Sequence, residues 1–295
     1  VLASCPYAVT TILAGQADFH ELARAAHTVR MARHPDQMVT YVVDRNINYS
    51  NICVCGCRFC AFFRAPGQEG GFVISESELF AKIEETLELG GTQILLQGSH
   101  HPDLDLKFYT GMLAGIKQRF PKLHIHAFSP PEIAHIADLA GMSPEGVLQE
   151  LIQAGLDSIP GGGAEILVDR VRRLVSPNKC SAGQWLEIMR IAHHLGLRTT
   201  ATMMFGHVET QAERIRHLLA IRELQDETGG FTAFIPWSFQ PDNTRLPARK
   251  ATSIEYLRLV ALSRLVLDNI ANIQVSWVTM GAKIGQLALF FGAND

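Results

Sequence analysis

Residues 75–97 read SESELFAKIEETLELGGTQILLQ, and this stretch contains one full repeat of the fold. Ser75 with Glu78 three residues later forms a capping box, in which hydroxyl and carboxylate satisfy the first free N–H groups of a helix. Leu79, Phe80, Ile83 and Leu87 then recur at helical spacing until Gly90 and Gly91 stop the helix. Residues 92–97 (TQILLQ) follow as a short, continuous apolar run, the pattern of a strand buried in a parallel sheet. A helix that feeds such a strand predicts a sheet covered by helices.

The alternation continues in both directions. Upstream, residues 38–44 (MVTYVVD) form a β-branched and aromatic run that ends in the polar stretch 45–51, which predicts a strand followed by a loop. Downstream, the pattern predicts helix 106–120, strand 123–129, helices 131–140 and 144–154, strand 157–160, helices 165–175 and 182–195, and strand 198–205. Helix 211–227, strand 231–239, helix 254–269, strand 273–278, helix 282–289 and an eighth strand at 290–292 complete the series. Polar residues follow the strand ends at 97–101, 129–132, 161–165, 207–209 and 240–244. Such loops converge on one face of a closed barrel, so the expected fold is α/β, a (β/α)8 TIM-like barrel rather than a doubly wound sheet. Residues 38–295 make up this barrel, and residues 1–37 read as an N-terminal helical extension with Leu22, Ala25, Ala26 and Val29 on one face. The sequence opens on Val1 without the basic segment of a secretory signal and stops at Asp295 just past the last expected strand. It therefore reads as part of a longer chain, lacking a C-terminal segment.

The 295 residues are 47% hydrophobic and 19% charged, with 24 Gly and 13 Pro, which excludes disordered, collagenous and low-complexity classes. Lys plus Arg (26) nearly balance Asp plus Glu (29), and a net charge of -3 offers no basic field to nucleic acid or anionic lipid. Gln, Arg, His or Asp interrupts each hydrophobic stretch before the roughly 18–20 apolar residues that a membrane span needs. Neither a nucleic acid nor a membrane is an expected partner.

Six cysteines are too few for a disulfide scaffold, and Cys53, Cys55, Cys57 and Cys60 fall within eight positions. This grouping predicts a metal or cluster site in a reducing cytoplasm. Cys53, Cys57 and Cys60 stand in the spacing C-x3-C-x2-C on the loop after the first strand. Three thiolates can hold three irons of a [4Fe–4S] cluster, whereas an electron-transfer cluster takes four, so one iron stays open to bind a small molecule. That count implies catalysis. A zinc knot with Cys55 as fourth thiolate is the alternative, although C-x-C-x-C spaces the sulfurs poorly for tetrahedral vertices and a large barrel needs no metal staple. A non-catalytic iron–sulfur carrier would likewise need a fourth ligand. Cys5 and Cys180 read as ordinary thiols.

The run CVCGCRFC at residues 53–60, with Phe59 before the last cysteine, resembles the C-x3-C-x-aromatic-C signature of radical S-adenosylmethionine (SAM) enzymes. ILLQGSHHPDL, HAFSPPEI, AGLDSIPGGGAEILVDRVR, TTATMMFGHVET, FIPWSFQPDNTRL and the terminal GAND are similar to the branch that serves menaquinone biosynthesis by the futalosine route. The resemblance implies a barrel of the radical SAM type, a [4Fe–4S] cluster on Cys53, Cys57 and Cys60, and S-adenosyl-L-methionine chelating the open iron. It also implies a reducing partner such as flavodoxin or ferredoxin. SIPGGGAEILVDRVR, TMMFGHVET and FIPWSFQP are similar to the paralogue that cyclises dehypoxanthine futalosine, in which a 5′-deoxyadenosyl radical takes hydrogen from the ribose. The alternative is the sibling chemistry, addition of a SAM-derived adenosyl radical to an enolpyruvyl benzoate. Ser99 stands where the branch commonly has a second glycine after LLQG, a departure because glycine reaches backbone angles that serine avoids.

Strand ends supply the remaining candidates. Gly161 and Gly162 permit close backbone approach to a ligand, and with Phe59, Gln97, Gly98, Ser129 and Gly206 of the matching motifs the resemblance implies that they bind the cofactor. His207, Glu209 and Glu132 can accept a proton near the expected mouth and are the candidate catalytic residues. His101 after the second strand, with Trp237, Gln240, Asn243 and Thr244 in the loop after the sixth, are the candidate substrate contacts. Polar amides beside an aromatic ring suit a substrate with ribose hydroxyls and a benzoate ring. His124 and His126, at i and i+2 on one strand face, read as hydrogen-bonded interior histidines, and Arg170, Arg172 and Arg173 as solvated helix charges.

Overall fold

The computed structural model describes residues 17–295, and the part of the N-terminal expectation that falls on residues 1–16, Cys5 included, lies outside the described residues. Its strands are β1 (Asp44–Asn48), β2 (Gln93–Gln97), β3 (His124–Ala127), β4 (Ser158–Ile159), β5 (Arg198–Phe205), β6 (Phe231–Ser238) and β7 (Asn272–Ile273). Its helices are α1 (Phe19–Arg33), α2 (Glu76–Glu88), α3 (Leu106–Arg119), α4 (Pro130–Ala140), α5 (Pro144–Gln153), α6 (Asp169–Val175), α7 (Ala182–His194), α8 (Gln211–Thr228), α9 (Ser253–Val266), α10 (Trp277–Met280) and α11 (Ala282–Ala288). The seven strands stand in the sheet in their sequence order. Sequential winding belongs to (β/α) barrels, whereas a doubly wound sheet reverses direction at a switch point.

The described residues divide into two compact units, one of Val42–Gly163 and Val175–Thr199, the other of residues 17–41 with Ala164–Leu174 and Thr200–Asp295. In the first, parallel pairing sets Asp44 opposite Gln93, Leu95 opposite His126, and Ser158 opposite both His126 and Arg198. Side chains alternate across the strands. Ile47, Ile94, Leu96, Ile125, Ala127 and Ile159 are fully buried, while Asn46, Asn48, Leu95, Gln97, His124 and His126 on the opposite face keep contact with solvent. Each fully buried Ile or Leu contributes about 1.5–3 kcal/mol relative to exposure. β2 is thus buried on one face only. Ser75 caps α2 by accepting from the Glu78 N–H at 3.2 Å, but Glu78 turns to Lys82 (3.2 Å), so only half of the expected capping box forms.

In the second unit, Leu22 and Ala26 of α1 are buried as expected. Ala25 and Val29 are not, and Arg30 takes their place, its guanidinium donating to the Leu289 carbonyl at 2.9 Å. Arg264 of α9 has no solvent exposure and donates to the carbonyls of Gly292 (2.8 Å), Ile270 (3.2 Å) and Ala271 (3.1 Å) and to Asn294 Oδ1 (2.6 Å). Asn294 Oδ1 also accepts from the Ile273 N–H at 3.0 Å, so the terminal GAND ties α9 to β7.

Several expected boundaries move. Residues 38–43 are not a strand: Met38 and Tyr41 are 62% and 83% exposed, and Thr40 bonds to the Asn294 carbonyl and the Asp295 carboxylate. β1 is the polar DRNIN, fixed by its register on β2 and by buried Ile47. The expected eighth strand is a single 3-10 turn, Leu289–Phe291, ended by Gly292 at φ 98°, so the barrel has seven strands among the described residues. Strand 273–278 shrinks to β7 because a new helix, α10, starts after Ser276. Helix 165–175 starts only at Asp169, since Gly163 (φ 71°) and Glu165 (φ 40°) pass through the left-handed region.

Candidate active site

The loop that leaves β1 is pinned by main-chain bonds from Cys53 to the Arg64 carbonyl (2.8 Å), Val54 to His100 (3.0 Å) and Arg58 to Val175 (2.8 Å). Cys53, Cys57 and Cys60 line one cavity together with Asn51, Phe59, Gly98, Ser99, His100, Ser129, Glu132 and Lys179. Cys55 lies outside it, with its Sγ 3.6 Å from the Asn178 carbonyl and its own carbonyl accepting from Asn178 Nδ2 at 3.2 Å. Hydrogen bonding between the Cys55 and Cys53 side chains holds Cys55 protonated and pulls Cys53 toward the thiolate form. Burial pushes His100 well below the ordinary imidazole range, and the nearby Lys179 adds to this. Lys179 Nζ also sits 5.3 Å from the Phe59 ring centroid.

Glu132 joins three strand ends. Its Oε1 accepts from Tyr49 Oη (2.7 Å) and the Gly98 N–H (2.9 Å), and its Oε2 from the N–H (2.8 Å) and hydroxyl (2.6 Å) of Ser129. Tyr49 follows β1, Gly98 follows β2 and Ser129 caps α4 after β3. Phe128, buried at φ 56°, makes the turn that aims Ser129 at this carboxylate. Gly98 has no room for a side chain, because a Cβ would lie 2.3 Å from the Tyr49 ring. Ser99 is absent from the left-handed region, so the loop does not require the glycine commonly found there. His101 faces its own loop, accepting at Nδ1 from the Asp103 N–H (3.1 Å), and does not line the cavity. Gly162 lies close to Gln97 and Ser129, where a Cβ would come within 3.1 and 3.2 Å.

In the other unit, Gly206 and His207 donate their N–H groups to Glu209 at 2.7 and 2.9 Å, and Arg214 Nε donates to the same carboxylate at 2.7 Å. Burial works against the Glu209 charge, but His207, Arg214 and these N–H groups outweigh it and hold the carboxyl below its usual range. Burial pulls His207 down. Its Nε2 must donate to the Met204 carbonyl (2.9 Å), which leaves Nδ1 facing Glu209 at 3.2 Å without a hydrogen bond of its own. Trp237 lies within β6 rather than in the loop after it. Gln240 donates to the Ser238 carbonyl at 3.0 Å, Thr244 closes a turn onto the Pro241 carbonyl, and exposed Asn243 sits at φ 60° in that turn. Arg172, read as solvated, is 3% exposed and stands 3.6 Å from buried Glu165.

The Radical SAM superfamily model matches residues 47–221, and the CofH/MqnC C-terminal region model matches residues 228–295. The chain belongs to the radical SAM superfamily. It is 48% identical over 279 residues to cyclic dehypoxanthine futalosine synthase of Halalkalibacterium halodurans, covering 94% of this chain and 75% of that one. To the Streptomyces coelicolor enzyme of the same name it is 47% identical over 283 residues, 95% and 71% of the two chains. It is also 45% identical over 260 residues to 5-amino-6-(D-ribitylamino)uracil--L-tyrosine 4-hydroxyphenyl transferase of Archaeoglobus fulgidus, 87% and 75% of the two chains. The crystal structure of methylornithine synthase shares the fold, with a TM-score of 0.75 at 17% identity over 97% of this chain and 80% of that one.

As a radical SAM enzyme the protein uses a [4Fe–4S] cluster and SAM. The donor set fits that pair, since three thiols line the cavity while the Cys55 thiol donates to the Asn178 carbonyl. Among the described residues no three His, Cys, Asp or Glu side chains are arranged to hold a single metal ion. No described helix is long and apolar enough to cross a membrane. The sequence did not single out Tyr49, Asn51 or Lys179. Lys179 reaches the cavity from a loop far along the chain, and only its flanking SPNKC punctuation marks that loop.

Proposed function

We propose that this radical SAM enzyme closes the ring of dehypoxanthine futalosine, with Cys53, Cys57 and Cys60 as the cluster ligands. The observation that carries the reading is 47–48% identity, over 94–95% of the chain, to two enzymes named for that reaction. Bound together, the cluster and SAM supply an electron and a 5′-deoxyadenosyl radical able to take hydrogen from the ribose carbon beside the ring oxygen. The protein's part is to hold the partners in near-attack contact and keep water out.

Phe59, Gln97, Gly98, Ser129, Gly161, Gly162 and Gly206 receive the cofactor, where main chain rather than bulky side chain meets it. Glu132, its oxygens engaged by four donors, sets the position of the Gly98 and Ser129 N–H groups. His207 accepts the proton lost as the ring regains aromaticity, the electron lost with it being one that the oxidised cluster would take back, and a proton added at Nδ1 would meet Glu209 at 3.2 Å. Trp237 and Gln240 contact the substrate, and Asn243 and Thr244 shape the turn beside them. His101 supports its loop. A flavodoxin or ferredoxin delivers the electron in a reducing cytoplasm, which also keeps the loop thiols reduced.

The test is anaerobic turnover of the reconstituted holoenzyme, followed by mass spectrometry with a Cys57→Ala control. The reading predicts 5′-deoxyadenosine and a product two mass units below dehypoxanthine futalosine, both absent in the variant. Turnover of 5-amino-6-(D-ribitylamino)uracil with tyrosine, or of an enolpyruvyl benzoate, in place of this product would replace the reading.

A further inference from the structure

We propose that the solvent-facing side of β1–β4 is a hydroxyl-binding floor for the polyol portion of the substrate, and that Ser158, held between His124 and His126, is its recognition element. The class of ligand rests on the ring-closing assignment, in which that portion is a ribose.

Strands of parallel sheets are usually apolar on both faces. Here the face opposite the buried one carries Asn46, Asn48, Gln97, His124 and His126 around a single apolar residue, Leu95, with Ser158 buried between the two histidines. Ser158 Oγ lies 2.6 Å from His124 Nε2 and 2.6 Å from His126 Nδ1. A hydroxyl has one proton, so Ser158 donates to one imidazole and accepts from the other. Neither remaining ring nitrogen has a hydrogen-bond partner among the described residues. One of these nitrogens then donates and the other accepts.

The charge of the floor selects its ligand. Burial takes His126 down to about 4, with His124 adding to the effect, and burial likewise lowers His124. Near neutral pH both rings are uncharged, so they match the paired donor and acceptor character of alcohols and offer no cation to a phosphate or carboxylate. Position connects the floor to the cofactor cavity. Leu95, the register partner of His126, lies three residues before Gly98, which lines that cavity. At about 3.3 Å per residue the separation along the strand is roughly 10 Å, the reach of one sugar and its substituent. Both relatives' reactions fit this chemistry, because a D-ribityl chain is also a polyol.

The experiment is equilibrium binding of dehypoxanthine futalosine, and separately of SAM, to oxidised holoenzyme without reductant. It compares wild type with Ser158→Ala, His126→Phe and His126→Asn, each checked for iron content and circular dichroism. Ser158→Ala and His126→Phe should each weaken substrate binding by about tenfold, the size of one or two lost hydrogen bonds. SAM binding should stay within about twofold, and His126→Asn, which keeps a donor and an acceptor, should recover part of the loss. Substrate affinity unchanged in folded Ser158→Ala and His126→Phe overturns the floor while leaving the ring-closing assignment intact. If wild type ignores dehypoxanthine futalosine but binds 5-amino-6-(D-ribitylamino)uracil with the same sensitivity to the variants, the floor stands and the ring-closing assignment falls. Equal loss of SAM and substrate binding also overturns the floor, because it marks a general structural effect.

Discussion

Replacing Glu132 with Gln should cost far more than the change of one atom suggests. The carboxylate takes two donors on each oxygen, a hydroxyl and a backbone N–H in both cases. An amide keeps one acceptor oxygen and turns its NH2 toward the other pair. The hydroxyl of that pair can rotate to accept from the NH2, whereas the N–H of Gly98 or Ser129 cannot. One buried N–H is left unmet and crowded by the new NH2, and an unmet buried donor costs about 1–3 kcal/mol, so the expected loss is about 2–3 kcal/mol. Anaerobic urea unfolding of holoenzyme, followed by circular dichroism, measures it. The same change frees the backbone that presents Gly98 and Ser129 to the cofactor, so SAM affinity should fall while bound iron persists. A stability loss below about 0.5 kcal/mol with unchanged SAM affinity refutes the clamp, because neither donor pair would then depend on the carboxylate.

Three other variants probe separate parts of the account. Gly98→Ala would set a Cβ 2.3 Å from the Tyr49 ring and should be strongly destabilising, whereas Gly111→Ala in α3, with nothing within 4 Å of its Cβ, should stabilise by about 0.5–1 kcal/mol in thermal unfolding. Arg170 hydrogen-bonds Glu213 and draws its carboxyl down to about 2, so the pair stabilises the fold above the ordinary carboxyl range and the contribution is lost as pH falls toward 2. Arg170→Ala should therefore move the acid-unfolding midpoint to higher pH. Cys55→Ala should keep the cluster's iron and its visible absorption, because that thiol donates to the Asn178 carbonyl and does not line the cavity; loss of iron would restore a four-cysteine site.

The alternation of helices and strands was legible because it rests on local chemistry. Capping residues, helical spacing and glycine stops place α2, α3, α5 and α7 within a residue or two of where the sequence puts them. Errors gathered where tertiary context overrides local preference. The apolar 38–43 run looks like a strand, yet pairing starts at Asp44 because β2 offers partners only from Gln93 onward. Phe290 and Phe291 suggested a strand, but Gly292 ends a 3-10 turn there, and a Cβ on it would press 2.8 Å from Arg264. At the site, the cysteine spacing is fully local, and the three thiols it singles out, Cys53, Cys57 and Cys60, line one cavity. The four-donor environment of Glu132 joins residues from three strand ends, and the Ser158 bridge depends on strand register, so neither leaves a mark at one place in the chain. Arg172 shows the same limit: a helix charge looks solvated until the fold buries it beside Glu165.

The most direct test of the central claim is turnover of dehypoxanthine futalosine carrying deuterium at the ribose carbon beside the ring oxygen. The account predicts 5′-deoxyadenosine one mass unit heavier, formed in step with a cyclic product that has lost the label. Unlabelled 5′-deoxyadenosine, or SAM consumed with its adenosyl group joined covalently to a product, would contradict it.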